Sequence, residues 1–300
     1  EIKGVADTPT LAVVPTLATE DVAIALGLAI SGAINDSDIA AGRSQSETLS
    51  FIITGLPSGV IPTGATYIGN NTWQVPASGL AALTIPAPAN FSGDYVATFA
   101  PGLTVFAVSQ ENDGNQTMTP LMLGAGAITV RPIADGFDGW APGLTEHLED
   151  SDIPLGGITF GGAMIDADSE TIVSYTLDFN GLVEAAEITG VVTDSNSLIE
   201  NFLIGLPARA NNGNGTITVT PAQLAGLSID RSAFGDSNVD FSLPVSALVR
   251  DTAGLMIDER TETATFTVDL KGVADSPTAF AGDMTNNYAD VDFSGATFDI

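Results

Sequence analysis

Acidic residues recur along this chain in a repeating order. Glu20 and Asp21 close "ATED" (18–21), and Glu149 and Asp150 close "HLED" (147–150). Asp36 and Asp38 stand in "INDSD" (34–38), answered by Asp166, Asp168 and Glu170 in "IDADSE" (165–170). Glu47 in "SETLS" matches Glu170 in "SETIV". Carboxylates spaced this closely are hard oxygen donors that repel one another unless a cation lies between them. Calcium suits such donors, because it accepts about six to eight oxygens from carboxylates, carbonyls and water at roughly 2.3–2.6 Å. Magnesium suits them less, since it demands tighter octahedral geometry and keeps its waters.

The whole composition points the same way. The 300 residues carry 8 basic against 37 acidic side chains, a net charge of -29. That excludes a nucleic-acid binder, which needs a basic stripe to neutralise phosphate, and makes an anionic membrane surface a poor partner. The chain has no cysteine, so neither disulfides nor thiolate metal sites contribute. No apolar run reaches the ~18–20 residues of a membrane span. The opening "EIKGVADTPT" is no signal peptide, and the chain reads as a segment of something longer.

The elements that must hold these acids are strands. "TLSFIITGLP" (48–57), "TWQVP" (72–76), "YVATFA" (95–100) and "TITVTP" (216–221) are short, β-branched or aromatic, and bounded by Gly, Pro, Asn or Asp. "TATFTVDLKG" (263–272) alternates Thr with Ala, Phe and Val, as a strand with one wet face does. Only "PASGLAAL" (76–83) and "PAQLAGL" (221–227) look helical. Many short strands separated by turns predict an all-β sandwich rather than a parallel sheet.

The strands belong to a repeat. "KGVADTPT" (3–10) returns as "KGVADSPT" (271–278), and a weaker copy, "RPIADGFD" (131–138), lies between. Asp7, Asp135 and Asp275 align, spaced 128 and 140 residues apart. "NNTWQVPASGLAALTI" (70–85) is answered by "GNGTITVTPAQLAGLSI" (213–229). A phrase written at such intervals marks a structural joint between copies of a unit. The boundaries read as unit 1 over 1–131, unit 2 over 132–271 with an insertion near 187–203, and 272–300 as a linker with the start of an incomplete third unit or a docked tail.

The order V-ADxPTL … TED … D-x-D … SET … GLP-x-G … GxW … L-x-x-LTI resembles the tandem Ig-like, cadherin-like extender repeats of giant bacterial RTX adhesins. The likeness covers both units almost end to end, with unit 2 departing at its linker and insertion. It implies tandem Ig-like β-sandwiches joined end to end by calcium-binding linkers, in a monomeric segment of a type I-secreted protein. Such proteins are retained at the bacterial surface for adhesion and biofilm formation. The glycine- and aspartate-rich nonapeptides of that class are absent from this chain.

On an Ig topology the A–B turn lies at the bottom of a unit, and the B–C and F–G loops lie at its top. Glu20 and Asp21 then sit at the bottom of unit 1, where linker Asp135 also arrives. Asp166, Asp168, Glu170 and an F–G loop acid, Asp251 in "VRDTAG", face them from unit 2. The same logic builds a top site from Asp7, Asp36, Asp38, Glu47 and Asp113, and a partial bottom site from Glu149, Asp150 and Asp275. Individually, such loop acids also make simple side-chain turns. The adjacent Ig-like units are the expected partners, and the alternative function is a binding module in which one unit, unit 2 with its insertion foremost, grips a surface glycan or protein. An enzyme is not expected: His147, the lone histidine, has no serine elbow and reads as a surface residue. Trp73 and Trp140 read as a buried strand residue and a linker-packing residue before they read as sugar stackers.

Overall fold

The computed structural model describes residues 4–34, 46–139, 141–142, 144–157, 160–161, 163–167, 169–182, 194–233 and 239–274. The described chain is an all-β protein with two apolar cores, each enclosed between sheets.

The first core lies within residues 10–131. Its strands are β1 (Thr10–Val13), β2 (Thr16–Thr19), β3 (Ile30–Ala33), β4 (Glu47–Thr54), β5 (Thr66–Gly69), β6 (Thr72–Pro76), β7 (Gly93–Asp94), β8 (Thr104–Glu111), β9 (Gln116–Met122) and β10 (Ile128–Arg131). A five-stranded sheet ordered β5-β6-β4-β8-β9 faces the β2-β10-β7 and β1-β3 sheets. Phe51, Ile53, Val75 and Val105 from the large sheet meet Ile128 and Val130 of β10. Trp73 packs against this core, with the more exposed Tyr67 ring 5.0 Å away at the sheet edge.

The second core follows in β11 (Ala141–Pro142), β12 (Leu144–Leu148), β13 (Ile153–Pro154), β14 (Phe160–Gly161), β15 (Glu170–Asp178), β16 (Leu203–Ile204), β17 (Thr216–Val219), β18 (Ser228–Ile229), β19 (Phe241–Ala253) and β20 (Met256–Lys271). Here the five-stranded sheet is ordered β12-β20-β19-β15-β17, and β13-β18-β16 lies opposite. β19 alternates buried and more open residues along nearly its whole length, so Leu243, Val245 and Ala247 share its core face.

Two pairs of strands run parallel where hairpins would give antiparallel pairing: β2 with β10, and β12 with β20. Both pairs end in step, so the residue after the early strand meets the chain leaving the late one. This registry brings Glu20 and Glu149 to the linkers.

The repeated Gly-Leu-Pro is a turn device. Gly55 and Gly205 both have φ +80, and a Cβ there would lie 2.2 Å from Gly102 O and 2.3 Å from Gly226 O. Only glycine permits that backbone approach at a left-handed φ.

One reading needs correction. "YVATFA" is not a strand: Tyr95–Phe99 form a short helix whose N-cap, Asp94, accepts the Ala97 N–H at 3.0 Å. A short apolar run fits either element, and the cap decides it. Within the 187–203 insertion, residues 187–193 lie outside the described residues, but Ser195–Phe202 form a helix capped by Asp194. Leu198, Ile199 and Phe202 of that helix belong to the second core, so this part of the insertion packs into the body.

Candidate metal centre

The joint after β10 is built from backbone outward. Glu20 follows β2, and its N–H donates to Arg131 O at 3.1 Å. Its Oε2 accepts the Ile133 N–H at 3.0 Å. Asp21 adopts φ 57, a left-handed conformation tolerated by Asp, and its Oδ1 accepts the Asn90 N–H at 3.2 Å. Asn90 Nδ2 in turn donates to Ile165 O at 3.1 Å, tying the first body to the turn that carries Asp166.

From the other side, Glu170 opens β15 directly opposite Asp251 of β19. Glu170 Oε1 accepts from the backbone of Asp135 and, at 3.3 Å, of Gly136. Asp166 precedes the strand, accepts from the Ser169 hydroxyl, and offers its carbonyl to Glu170 N at 3.0 Å.

Glu20, Asp166 and Asp251 converge: each presents a carboxylate oxygen within 4.8 Å of the others, and all three are buried. Glu20 Oε1, both Asp251 oxygens and Glu170 Oε2 are buried without a hydrogen-bond donor. Burial pushes Glu20 up to about 7; the Ile133 N–H opposes the shift, and the Asp251 and Asp166 carboxylates add to it. Asp135, half-buried in the linker, is raised by burial and by Asp21, Asp166 and Asp251, with Arg260 opposing. Burial also raises Glu170, against the backbone N–H groups it accepts.

Buried anionic oxygens without donors are costly unless neutralised. An all-oxygen set of three carboxylates fits a hard divalent cation, and calcium's loose coordination suits it better than magnesium's rigid octahedron. Glu20, Asp166 and Asp251 would hold the ion. It would supply positive charge directly between the three buried carboxylates.

The remaining predicted residues are distributed as follows. Asp36, Asp38, Asp168 and Asp275 lie outside the described residues, as does Trp140. Asp7 donates its N–H to Glu47 Oε1 at 2.6 Å, while Glu47 Oε2 accepts from Ser109 at 2.6 Å. Asp113 Oδ1 accepts the Asn115 N–H at 3.0 Å, a local turn bond. Glu149 is buried and accepts the Val273 N–H at 2.6 Å; Asp150 is exposed, and its carbonyl accepts from Arg231.

Asp251 is not in a loop. β19 runs on to Ala253, so Asp251 is a strand residue fixed by register. His147 is half-buried on β12 rather than a surface residue; its Nε2 is sequestered, and burial lowers its pKa.

Sequence reasoning missed Asn90, Asn115, Asp258 and Glu111. Ala6 donates its N–H to Asn115 Oδ1 at 3.0 Å, and Ala134 donates to Asp258 Oδ2 at 2.9 Å. Asn115 lies opposite Glu111, and Asp258 opposite Asp251. Glu111 in turn pairs with Glu47 as Asp251 pairs with Glu170. The two copies of the joint phrase are thus docked alike. The signal that could have found Asn115, Asp258 and Glu111 is the offset from the repeated Ala-Asp pair, once hairpin register is known.

No protein-family model matches the chain, and no curated protein does. Among solved structures, the chain is similar to Drosophila N-cadherin EC1-3, at 12% identity and TM-score 0.24, over 89% of this chain and 69% of that one. It is also similar to a structure of a 1.5-MDa bacterial ice-binding adhesin, at 14% identity and TM-score 0.25, over 90% and 67% of the two chains. A third is the zebrafish RET cadherin-like domains 1 to 4, at 9% identity and TM-score 0.21; the chain spans about half of that structure, 52%, with 89% of itself. Among the described residues, no helix is long and apolar enough to cross a membrane.

Proposed function

We propose that this chain is a calcium-stiffened extender segment of a large bacterial surface adhesin, two Ig-like units over 1–131 and 132–271 that hold a distal binding region away from the cell. The observation that carries this reading is the buried triad Glu20, Asp166 and Asp251. Its members come from the first body and, in the second, from the turn before β15 and the end of β19. A cation held by all three would bind the two bodies to each other, so bending at the joint would have to break coordination. The phrase that forms this joint recurs, in a weaker copy here, three times along the chain, as expected of a spacer assembled from repeated connections. The charge of -29 keeps such a stalk soluble and repels neighbouring copies. The reading places the segment outside the cell, where calcium is abundant, and gives it no catalytic role.

Small-angle scattering tests it. In calcium the distance distribution should be that of a rod two units long; in EDTA it should broaden. The Asp135→Ala, Asp166→Ala double variant should give the broadened profile even in calcium. A parent profile indifferent to chelation would overturn the proposal.

A further inference from the structure

The linker is gripped along its backbone. Four consecutive N–H groups, from Ile133 to Gly136, donate to carboxylates: Ile133 to Glu20, Ala134 to Asp258, and Asp135 and Gly136 to Glu170. The Asp135 carbonyl accepts from Arg260 Nη1 at 2.8 Å, and Arg260 Nε is paired with Glu262 Oε1 at 2.7 Å. Gly136, at φ +82, lies so close to Glu262 that a Cβ would come within 2.6 Å of its Oε1. Asp258, Arg260 and Glu262 are alternate residues of β20 and share one face of that strand. One face of one hairpin therefore runs along the linker.

That hairpin is longer than its counterpart. Three residues separate Glu111 from Asn115 in the first body, but six separate Asp251 from Asp258. The longer tip overhangs the first body across a groove of about 460 Å³ lined by Leu17, Arg131, Pro132, Met256, Ile257 and Asp258.

We infer that the β19–β20 hairpin is a brace that sets the direction of the joint by its own hydrogen bonds, with Asp258 and Arg260 as the positioning residues. It shares the joint invoked above but needs no cation: the brace fixes the mean direction, and the ion narrows the swing about it. An acceptor suffices at position 258, because Asn115 does the same for Ala6 with a neutral amide.

The chain contains no cysteine, so spin labels at introduced Ser78→Cys and Ser242→Cys report one distance between the bodies without interference. In EDTA the parent should keep the peak position it has in calcium. Asp258→Ala should raise the population outside that peak about fivefold, the change expected for losing one ordinary hydrogen bond of about 1 kcal/mol. Asp258→Asn should match the parent, and Arg260→Met should resemble Asp258→Ala. An alanine variant with the parent's distribution in EDTA, or an asparagine variant as dispersed as alanine, would overturn the brace. If calcium leaves the parent's peak width unchanged while Asp258→Ala disperses it, the cation reading fails and the brace stands.

Discussion

Ile133 donates its backbone N–H to Glu20 Oε2 at 3.0 Å, while Glu20 Oε1 is buried with no donor. The same division holds at Glu170, whose Oε1 serves the linker backbone and whose Oε2 is bare. Each carboxylate thus has one oxygen that positions the chain and one that presents charge. These two duties can be separated by substitution.

Glu20 makes the cation-free protein sensitive to pH. Its folded pKa is raised from 4.5 to about 7 by burial, so the folded state holds this proton more tightly than the unfolded chain. The stability it contributes is present below about pH 4.5 and lost as pH rises through about 7. In EDTA, the melting temperature should be higher at pH 5 than at pH 8. Glu20→Gln, which keeps an acceptor for Ile133, should flatten that difference; an unchanged slope would show that other acids dominate.

Calcium should reverse the penalty. At free calcium about 100-fold above its dissociation constant, linkage adds about 2.7 kcal/mol. Melting in EDTA should therefore be clearly lower and be restored by excess calcium, and superimposed curves would remove the cation from the account.

The two cores should melt separably once the joint is loosened. Leu177 is fully buried in the second core. Leu177→Ala should cost about 2–5 kcal/mol through lost contacts and an unfilled cavity. Calorimetry in EDTA should show one transition lowered and the other left in place; both moving equally would indicate a single cooperative body.

Gly205→Ala tests the Gly-Leu-Pro turn. It forces a left-handed φ on alanine and a methyl group against Gly226 O, and should destabilise by about 2 kcal/mol or more in urea unfolding. Gly213→Ala, at a similar φ but with open space around it, should cost less. Equal losses would refute the steric argument.

What could be read from sequence was alternation and β-branched composition within strands, and whatever repeats at fixed offset. β6 falls on "TWQVP", β17 within "TITVTP", and the acids around Asp135 belong to motifs whose order is kept. "YVATFA" misled because its apolar run is too short to show a period, and the Asp94 cap that makes it a helix reads equally well as a turn residue. Asp258 and Asn115 escaped because their roles depend on which residues face each other across hairpins of unequal length. Asn90 escaped because its bond to Ile165 spans 75 positions and no motif.

The parallel pairing of β2 with β10, and of β12 with β20, decides how tension would be carried. Thr16–Thr19 run alongside Ile128–Arg131, and Leu144–Leu148 alongside Thr267–Lys271, each pair joining an early strand to a late one. Pulling the two ends of a body apart drags such strands past each other lengthwise. Every hydrogen bond of the ladder is then strained at once, in shear, instead of being opened one by one as in a zipper. A tether would give way only when a whole ladder fails together.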